Sequence, residues 1–450
     1  MQQSRDSAGT GSNHRVVIVG GGFGGLHAAK ALRRADAEVV LIDRKNYHLF
    51  QPLLYQVATG MLNPGDITSP LRTVVGRQKN TQVLHGELNT ILADKKQVRM
   101  GDKVLDYDTL VLALGATAHN YFGNDRWEQD APGLKSVEDA IEIRSRVLSA
   151  FEAAELEDDP AKRRELLTFV IIGGGPTGVE LAGAVGELAH LTLPGEFRNI
   201  DPADSRVILL EGMDRVLGAH TEPLAEKAVT SLRRLGVEVL TGSMVNEITE
   251  TGVRYAKNEQ DHRIASRSVI WAGGVKPDAG IGTLAQQLGV DSDKSGRIPV
   301  NRTLQVVTHP DVYVIGDLAQ ALDEHGDPLP GLAAVAMQQG KYVGKRISRT
   351  LKGKPVREFE YRDRGTMATI GKKAAIADFG RMQLWGFPGW VAWLLVHLML
   401  MVQFGNRLIV FVQWAYNWFT NGRNARMIRW TRETAEDPEH SNRADSRRAA

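Results

Sequence analysis

Gly20-x-Gly22-x-x-Gly25 closes the β-branched run of residues 16–19 and opens a stretch patterned as a helix, and Asp43 ends the next apolar run, AEVVLID. Glycines at that spacing let the backbone turn sharply and approach a pyrophosphate, whose charge rests on the helix N-terminus. The acid then accepts from a ribose hydroxyl. The pattern repeats. Gly173-x-Gly175-x-x-Gly178 follows the apolar residues 169–172, and Glu211 ends SRVILLEG, further from its glycines because HLTLPGEFRNIDPAD intervenes. Two such units suggest two dinucleotides, one held tightly and one exchanging. A carboxylate at Glu211 accepts from a 2′-hydroxyl and repels a 2′-phosphate, which favours NAD over NADP, while the nearby Arg215 works against that preference.

None of the 450 residues is cysteine, which removes disulfide scaffolding, thiolate nucleophiles, redox-active cysteine pairs and cysteine-held metals together. Redox chemistry here must therefore belong to a bound cofactor. The 12 histidines show no ligand spacing, so no metal is expected, and a net charge of +2 gives no reason to expect nucleic acid. A composition of 42% hydrophobic and 24% charged residues is that of a folded protein, and the length calls for more than one domain. The opening MQQSRDSAGTGSN lacks the apolar centre of a secretory signal; residues 1–13 and 433–450 are expected to be loose.

The elements that must position these residues are legible. TLVLALGA (109–116) and SVIWAGG (268–274) each read as a strand running into a glycine turn, one closing each nucleotide domain. THPDVYVIGDLAQ places Gly316 and Asp317 directly after the strand-like residues 312–315. The expected fold is α/β, with two Rossmann-like dinucleotide-binding domains, the second inserted into the first, and a C-terminal amphipathic helical region that binds membrane. Residues 14–120 and 290–345 would form the first domain, residues 121–289 the second, and residues 346–432 the C-terminal region.

With these motifs in order, residues 14–345 resemble the two-dinucleotide-binding-domain flavoprotein superfamily. The lack of cysteine separates the chain from the disulfide reductases and sulfide:quinone reductases of that superfamily, which work through thiols. YHLFQPLLYQVATG (47–60) and GLAAVAMQQGKYVG (331–344) are similar to segments of the type II NADH:quinone oxidoreductases, single-chain respiratory NADH dehydrogenases that pump no protons. The resemblance implies non-covalent FAD held by Gly20, Gly22, Phe23, Gly24, Gly25, Asp43, Arg44, Val83, Gly115, Gly316 and Asp317, with Asp317 at the ribityl and phosphate end. It implies exchanging NADH at Gly173, Gly175, Pro176, Thr177, Gly178, Glu180, Glu211 and Gly274, its hydride passing to the flavin N5. A membrane quinone, menaquinone or ubiquinone, would then take two electrons beside Gln338, Gln339 and Ala334.

Glu180 and Gln338 are the implied catalytic residues. The family motif commonly runs Ala-Gln-x-Ala-x-Gln; here Ala334 stands at the first glutamine and Gln338 alone remains. Gln338 either shapes the quinone pocket or belongs to a small-residue helix packed on the flavin. Glu180 is either a carboxylate favoured by the dipole of its helix or a residue beside the nicotinamide that helps deliver protons to quinone. Gln51 and Tyr55 either approach the flavin or quinone or pack in the core.

WVAWLLVHLMLMVQF (390–404) and LIVFVQWAYNWF (408–419) are each too short to span a bilayer, and Gly405-Asn406-Arg407 is expected to interrupt them. Asn406, Gln413, Asn417 and Asn421 recur at helical spacing, with Trp414 and Trp418 suited to the headgroup boundary. Arg423, Arg426, Arg429 and Arg432 suit anionic lipid. Two helices lying in one leaflet are expected, on the cytoplasmic face of the cell membrane. A tilted span over residues 385–404, or a homodimer interface built from the same helices, are the alternatives. The function expected is NADH:quinone oxidoreduction; the rivals are an NADH-dependent reductase of a small redox carrier protein and a flavin-bound NAD(H)-sensing interaction protein.

Overall fold

In the computed structural model, which describes residues 14–278 and 280–429, the apolar runs before each glycine motif become central strands of two parallel sheets. The tails expected at residues 1–13 and 433–450, and Arg432, lie outside the described residues. The chain divides into two units. The first holds residues 14–50, 68–119 and 275–364, and the second holds residues 51–67, 120–274 and 365–429.

The first unit is built on five parallel strands in the order Val312–Val314, Thr109–Leu112, Arg15–Val19, Glu38–Asp43 and Thr81–His85. Val16, Val17 and Ile18 are fully buried, as strands covered on both faces must be, which is why they read as a β-branched run. Arg15–Val19 pairs with Glu38–Asp43 on one side and Thr109–Leu112 on the other. Its C-terminal end is therefore the point where strand order reverses, the place where open α/β sheets bind ligands.

The second unit repeats this plan with four parallel strands, Val237–Leu240, Arg206–Leu210, Thr168–Ile172 and Ser268–Trp271. An antiparallel sheet of Thr366–Gly371, Ala374–Asp378 and Gln383–Trp385 leads into two helices, Gly386–Leu400 and Phe404–Thr420. The interruption expected at Gly405-Asn406-Arg407 falls earlier, at residues 401–403. The polar side chains explain the shift. Arg407 donates from Nε and Nη2 to the Met401 carbonyl at 2.8 and 2.6 Å, closing the end of the preceding helix. Asn406 donates to the carbonyls of Gly65 and Asp66. Both therefore anchor the start of a helix. Among the described residues no helix is long and apolar enough to cross a membrane. The span weighed for residues 385–404 is replaced by a helix of 15 residues.

In the first unit, the helix that carries the glycine loop, Phe23–Ala31, packs against Ala333–Thr350 through glycine. A Cβ on Gly340 would lie 2.0 Å from the Gly24 carbonyl oxygen, and one on Gly344 would lie 2.7 Å from that of Ala28. Only bare backbone lets the helices approach this closely. Gly340→Ala should force them apart at a cost of about 1–3 kcal/mol, the range for overpacking. Calorimetry should show a lower Tm, and an unchanged Tm would mean that the crossing tolerates a methyl group.

Candidate functional site

The first loop is shaped by its glycines. Gly20 has φ of +107°, and its N–H bonds to the Ile42 carbonyl at 2.8 Å. A Cβ on Gly25 would lie 1.8 Å from the Gly20 oxygen, so this position closes the loop onto its own helix. A Cβ on Gly22 would meet nothing within 4 Å, and no side chain caps the helix that starts at Phe23. Bare backbone there leaves room beside helix amides for a pyrophosphate. Asp43 Oδ2 accepts from Gly21 N at 2.5 Å and Oδ1 from Lys45 N at 2.6 Å. Each oxygen keeps a second lone pair for a ribose hydroxyl. Burial raises the Asp43 pKa, and those two amides oppose the shift.

Around this loop, Phe23 stands edge-on to His48 at 5.0 Å. His48, missed in the sequence, lies with Nδ1 3.0 Å from the Gly21 carbonyl, and burial lowers its pKa to about 4, so it is neutral. Val83 is buried in the neighbouring strand, and the exposed Arg44 pairs with Glu87 at 3.3 Å. Gly115 and Gly316 take φ of +71° and +73° beyond the ends of Thr109–Leu112 and Val312–Val314, with Asp317 half-buried in the turn Gly316–Leu318. These residues share the C-terminal edge of one parallel sheet. Their loop, acid and bare-backbone cradle fit a flavin dinucleotide. The side-chain amide oxygen of the buried Gln339 accepts from Gly316 N at 2.6 Å and so supports that turn. Gln338 binds the Arg362 backbone at both ends, Nε2 donating at 2.9 Å and Oε1 accepting at 3.1 Å. Ala334 is half-buried in the first turn of their helix.

The second loop reproduces the first almost atom for atom. Gly173 has φ of +109° and bonds to the Leu210 carbonyl at 2.8 Å, and a Cβ on Gly178 would lie 1.8 Å from the Gly173 oxygen. Gly175 caps the helix Pro176–Glu187 without a side-chain bond, and a Cβ on it would meet nothing within 4 Å. Pro176 and Thr177 are exposed in the first turn, Pro176 where a missing N–H is harmless. Glu211 accepts from Gly174 N at 2.5 Å and from Met213 N at 2.7 Å, matching Asp43. Gly274 turns at φ of +138° after Ser268–Trp271. Arg215 is exposed and donates to the Gly218 carbonyl.

The same helix carries Glu180 away from the loop and into a cavity of the second unit. That cavity is open to solvent. Glu180 and Glu187 line it from Pro176–Glu187, Tyr55 and Gln56 from the helix Leu54–Ala58, and Thr369 and Lys372 from the sheet strand Thr366–Gly371 and its turn. The two C-terminal helices add Trp390, Trp393, Trp414, Asn417 and Trp418. Glu180 is half-buried because it opens onto the cavity, and burial raises its pKa to about 8, opposed only by a 3.4 Å bond from Thr369 N. Tyr55 is buried and lies in this cavity, while Gln51 belongs to the short turn Gln51–Leu53 that precedes it.

Arg423 corrects the lipid-facing expectation. It is 4% exposed; Nη1 donates to the Thr59 carbonyl at 3.0 Å, and Nη2 to the Ala184 carbonyl at 2.9 Å and to Glu187 at 3.4 Å. Burial lowers Arg423 to about 10 and raises Glu187, and each charge opposes the other's shift. Arg426 pairs with both oxygens of Glu196 at 2.7 and 2.9 Å. Of the expected basic cluster, Arg429 is the exposed member among the described residues. Of the polar stripe, Asn417 turns inward and is 8% exposed, while the exposed Asn421 accepts from Lys372 Nζ at 2.5 Å. The outer faces are apolar, with Phe404 76%, Phe419 84% and Leu395 56% exposed.

Comparison with known proteins follows this geometry. Residues 14–340 match the pyridine nucleotide-disulphide oxidoreductase family. The chain is 41% identical over 434 residues to the type II NADH:quinone oxidoreductase Ndh of Mycobacterium tuberculosis, covering 95% of this chain and 92% of that protein. It is also 41% identical to NdhA of the same organism, covering 94% and 91%. The NDH2 structure from Plasmodium falciparum in complex with NADH superposes with a TM-score of 0.82 at 19% identity, covering 93% of this chain and all of that one, a likeness of fold. The twin loops, the cavity beside Glu180 and these relatives converge, and the chain belongs to the type II NADH:quinone oxidoreductases within the pyridine nucleotide-disulphide oxidoreductase family.

Proposed function

We propose that this chain oxidises NADH and reduces a membrane quinone through non-covalently bound FAD, while lying on a lipid surface through its two C-terminal helices. One observation carries the reading. The helix that presents the second glycine loop also places Glu180 in a cavity whose far walls are the helices with exposed apolar faces. A nucleotide-binding element and a lipid-facing element thus meet in one pocket. The chemistry that the flavin supplies when bound is hydride acceptance and two-electron delivery. The residues of the chain supply the rest. Gly20, Gly22, Gly25 and Asp43 would hold the flavin dinucleotide, Gly173, Gly175, Gly178 and Glu211 the NADH, and the aromatic cavity walls exclude water around the quinone ring. Glu180 holds a proton at its carboxyl up to about pH 8 and can hand it to a reduced quinone oxygen.

The direct test is NADH oxidation by purified protein on vesicles with menaquinone, ubiquinone or ferricyanide, with the acid-released chromophore identified. FAD and quinone turnover are expected. FMN in its place, or turnover with a carrier protein alone, sinks the reading. The lipid contact is tested without disturbing Arg423 by replacing Phe404, Phe411 and Phe419 together with serine, each at least half exposed. Vesicle binding should fall at least tenfold, because burial of each ring contributes roughly 1.5–3 kcal/mol. A triple variant that still sediments with vesicles, and loses only its dimer mass, assigns this face to a second copy.

Glu211→Ser should lower the preference for NADH over NADPH at least tenfold, since bonds to charged groups contribute roughly 1.5–3 kcal/mol. The ratio of the two kcat/KM values is the readout, because the loop amides of Gly174 and Met213 also lose their acceptor. An unchanged ratio would move the selectivity to Arg215.

Glu180 also makes stability depend on pH. Its carboxyl titrates at 4.5 when unperturbed and at about 8 in the folded chain, so between those values the folded state binds the extra proton. That contribution is complete below the lower value and is lost as pH rises through the upper one. Urea midpoints of Glu180→Gln, which cannot ionise, should gain on those of the unsubstituted chain between about pH 5 and about pH 8. A gap that stays constant across this range would show that Glu180 is ionised in the folded protein.

A further inference from the structure

The cavity holds an ordered chain of hydrogen bonds whose direction is fixed by one donor. An indole N–H can only donate, so the Gln56 atom 2.7 Å from Trp414 Nε1 is the amide oxygen. The other end of Gln56 is then the amino group, which donates to the Tyr55 hydroxyl at 2.7 Å. Tyr55 therefore cannot give its own proton to Gln56. Among the described residues the hydroxyl has no acceptor. Two further residues that line the cavity carry a donor in the same condition: Trp393 Nε1 and Asn417 Nδ2 are buried and unpartnered. A buried donor without an acceptor is costly, and three around one aromatic cavity ask for an occupant rich in acceptors.

We propose that the donors at the Tyr55 hydroxyl, Trp393 Nε1 and Asn417 Nδ2 together select the oxidised quinone, whose two carbonyl oxygens only accept, over the quinol, whose hydroxyls bring donors of their own. Gln56 and Trp414 are positioning residues: they act through Tyr55 by keeping its O–H turned away from Gln56. The inference rests on the reading of this cavity as the quinone site, and it explains how product leaves. Two-electron reduction with uptake of two protons converts both carbonyl acceptors into hydroxyls, and the match with the donor set is lost. Burial raises the Tyr55 pKa well above its usual value, in agreement with a hydroxyl that stays protonated.

The test measures dissociation constants of decylubiquinone and menadione, and of their quinols under anaerobic conditions, by quenching of the cavity tryptophans. Flavin content and Tm report that each variant is folded. Tyr55→Phe should raise the Kd of the oxidised form about fivefold to tenfold, the equivalent of one net hydrogen bond, and leave the quinol Kd nearly unchanged. Gln56→Glu should do the same with Tyr55 still present, because a carboxyl oxygen now accepts the tyrosine proton. The double variant should be no worse than either single one. If Gln56→Glu does not fold, Trp414→Phe frees Gln56 to turn its oxygen to Tyr55 and should reproduce the loss in part. Equal weakening of both redox forms, or additive single effects, would overturn the donor-set inference. Trp393→Ala separates this from the reading beneath it. If it abolishes quinone binding while the Tyr55 and Gln56 variants change nothing, the cavity is the quinone site and the selection lies elsewhere. If none of the variants alters quinone binding, the site itself is wrong.

Discussion

A guanidinium with no solvent needs a carboxylate and several carbonyls, and the second unit is organised around that requirement. Arg423 lies 236 residues along the chain from Glu187, yet it is buried against it, with the Thr59 and Ala184 carbonyls taking two more of its donors. Removing one member of such a pair leaves an unpaired buried charge, which typically costs about 3–5 kcal/mol. The bond therefore holds three distant segments together: the 51–67 segment, the helix behind the second loop, and the chain beyond the C-terminal helices. Ala425 extends the contact by accepting from Arg144 and donating to the Gly60 carbonyl. The cavity exists because these segments meet.

The two nucleotide loops show how far one backbone solution can be reused. In each, a glycine in the left-handed region, a glycine that permits loop closure and an acid that accepts two amides recur with distances equal to within about 0.1 Å. Their differences lie beyond the loop. Behind the first, Gly340 and Gly344 let a second helix press on the glycine helix. Behind the second, Gly183 lets the strand Thr366–Gly371 press on the glycine helix, which carries Glu180 and Glu187 into the cavity. Function is grafted on the repeat by what each helix faces.

The C-terminal helices are arranged with polarity reversed from that of an ordinary surface pair. His397, Asn417 and Trp414 are buried, while Phe, Leu and Met side chains stand outward. Trp390 and Trp418, 4.7 Å apart, and Trp393 and Trp414, 5.3 Å apart, join the two helices through their rings. An apolar patch of this extent on a folded protein marks a contact surface.

The sequence by itself determined the elements whose geometry is local. A β-branched run, three spaced glycines and an acid specify strand, turn, helix and ribose partner within one short stretch, because turn sterics and helix amides act over a few residues. Both loops and the absence of thiol chemistry were legible for that reason, and so was the apolar character of residues 390–419. The destination of the polar residues there was not legible. Local pattern suited Arg423 to anionic lipid and put Asn417 on a polar stripe, and only tertiary structure decided that Glu187 and the cavity claim them, since a buried polar group is placed by partners distant in the chain. Gln338 and Gln339 read as quinone contacts by motif, whereas the fold engages their amides with the backbone at Arg362 and Gly316. Tyr55 and Gln56 could not be told from core residues, because the direction of a hydrogen bond between them depends on an indole 358 residues away.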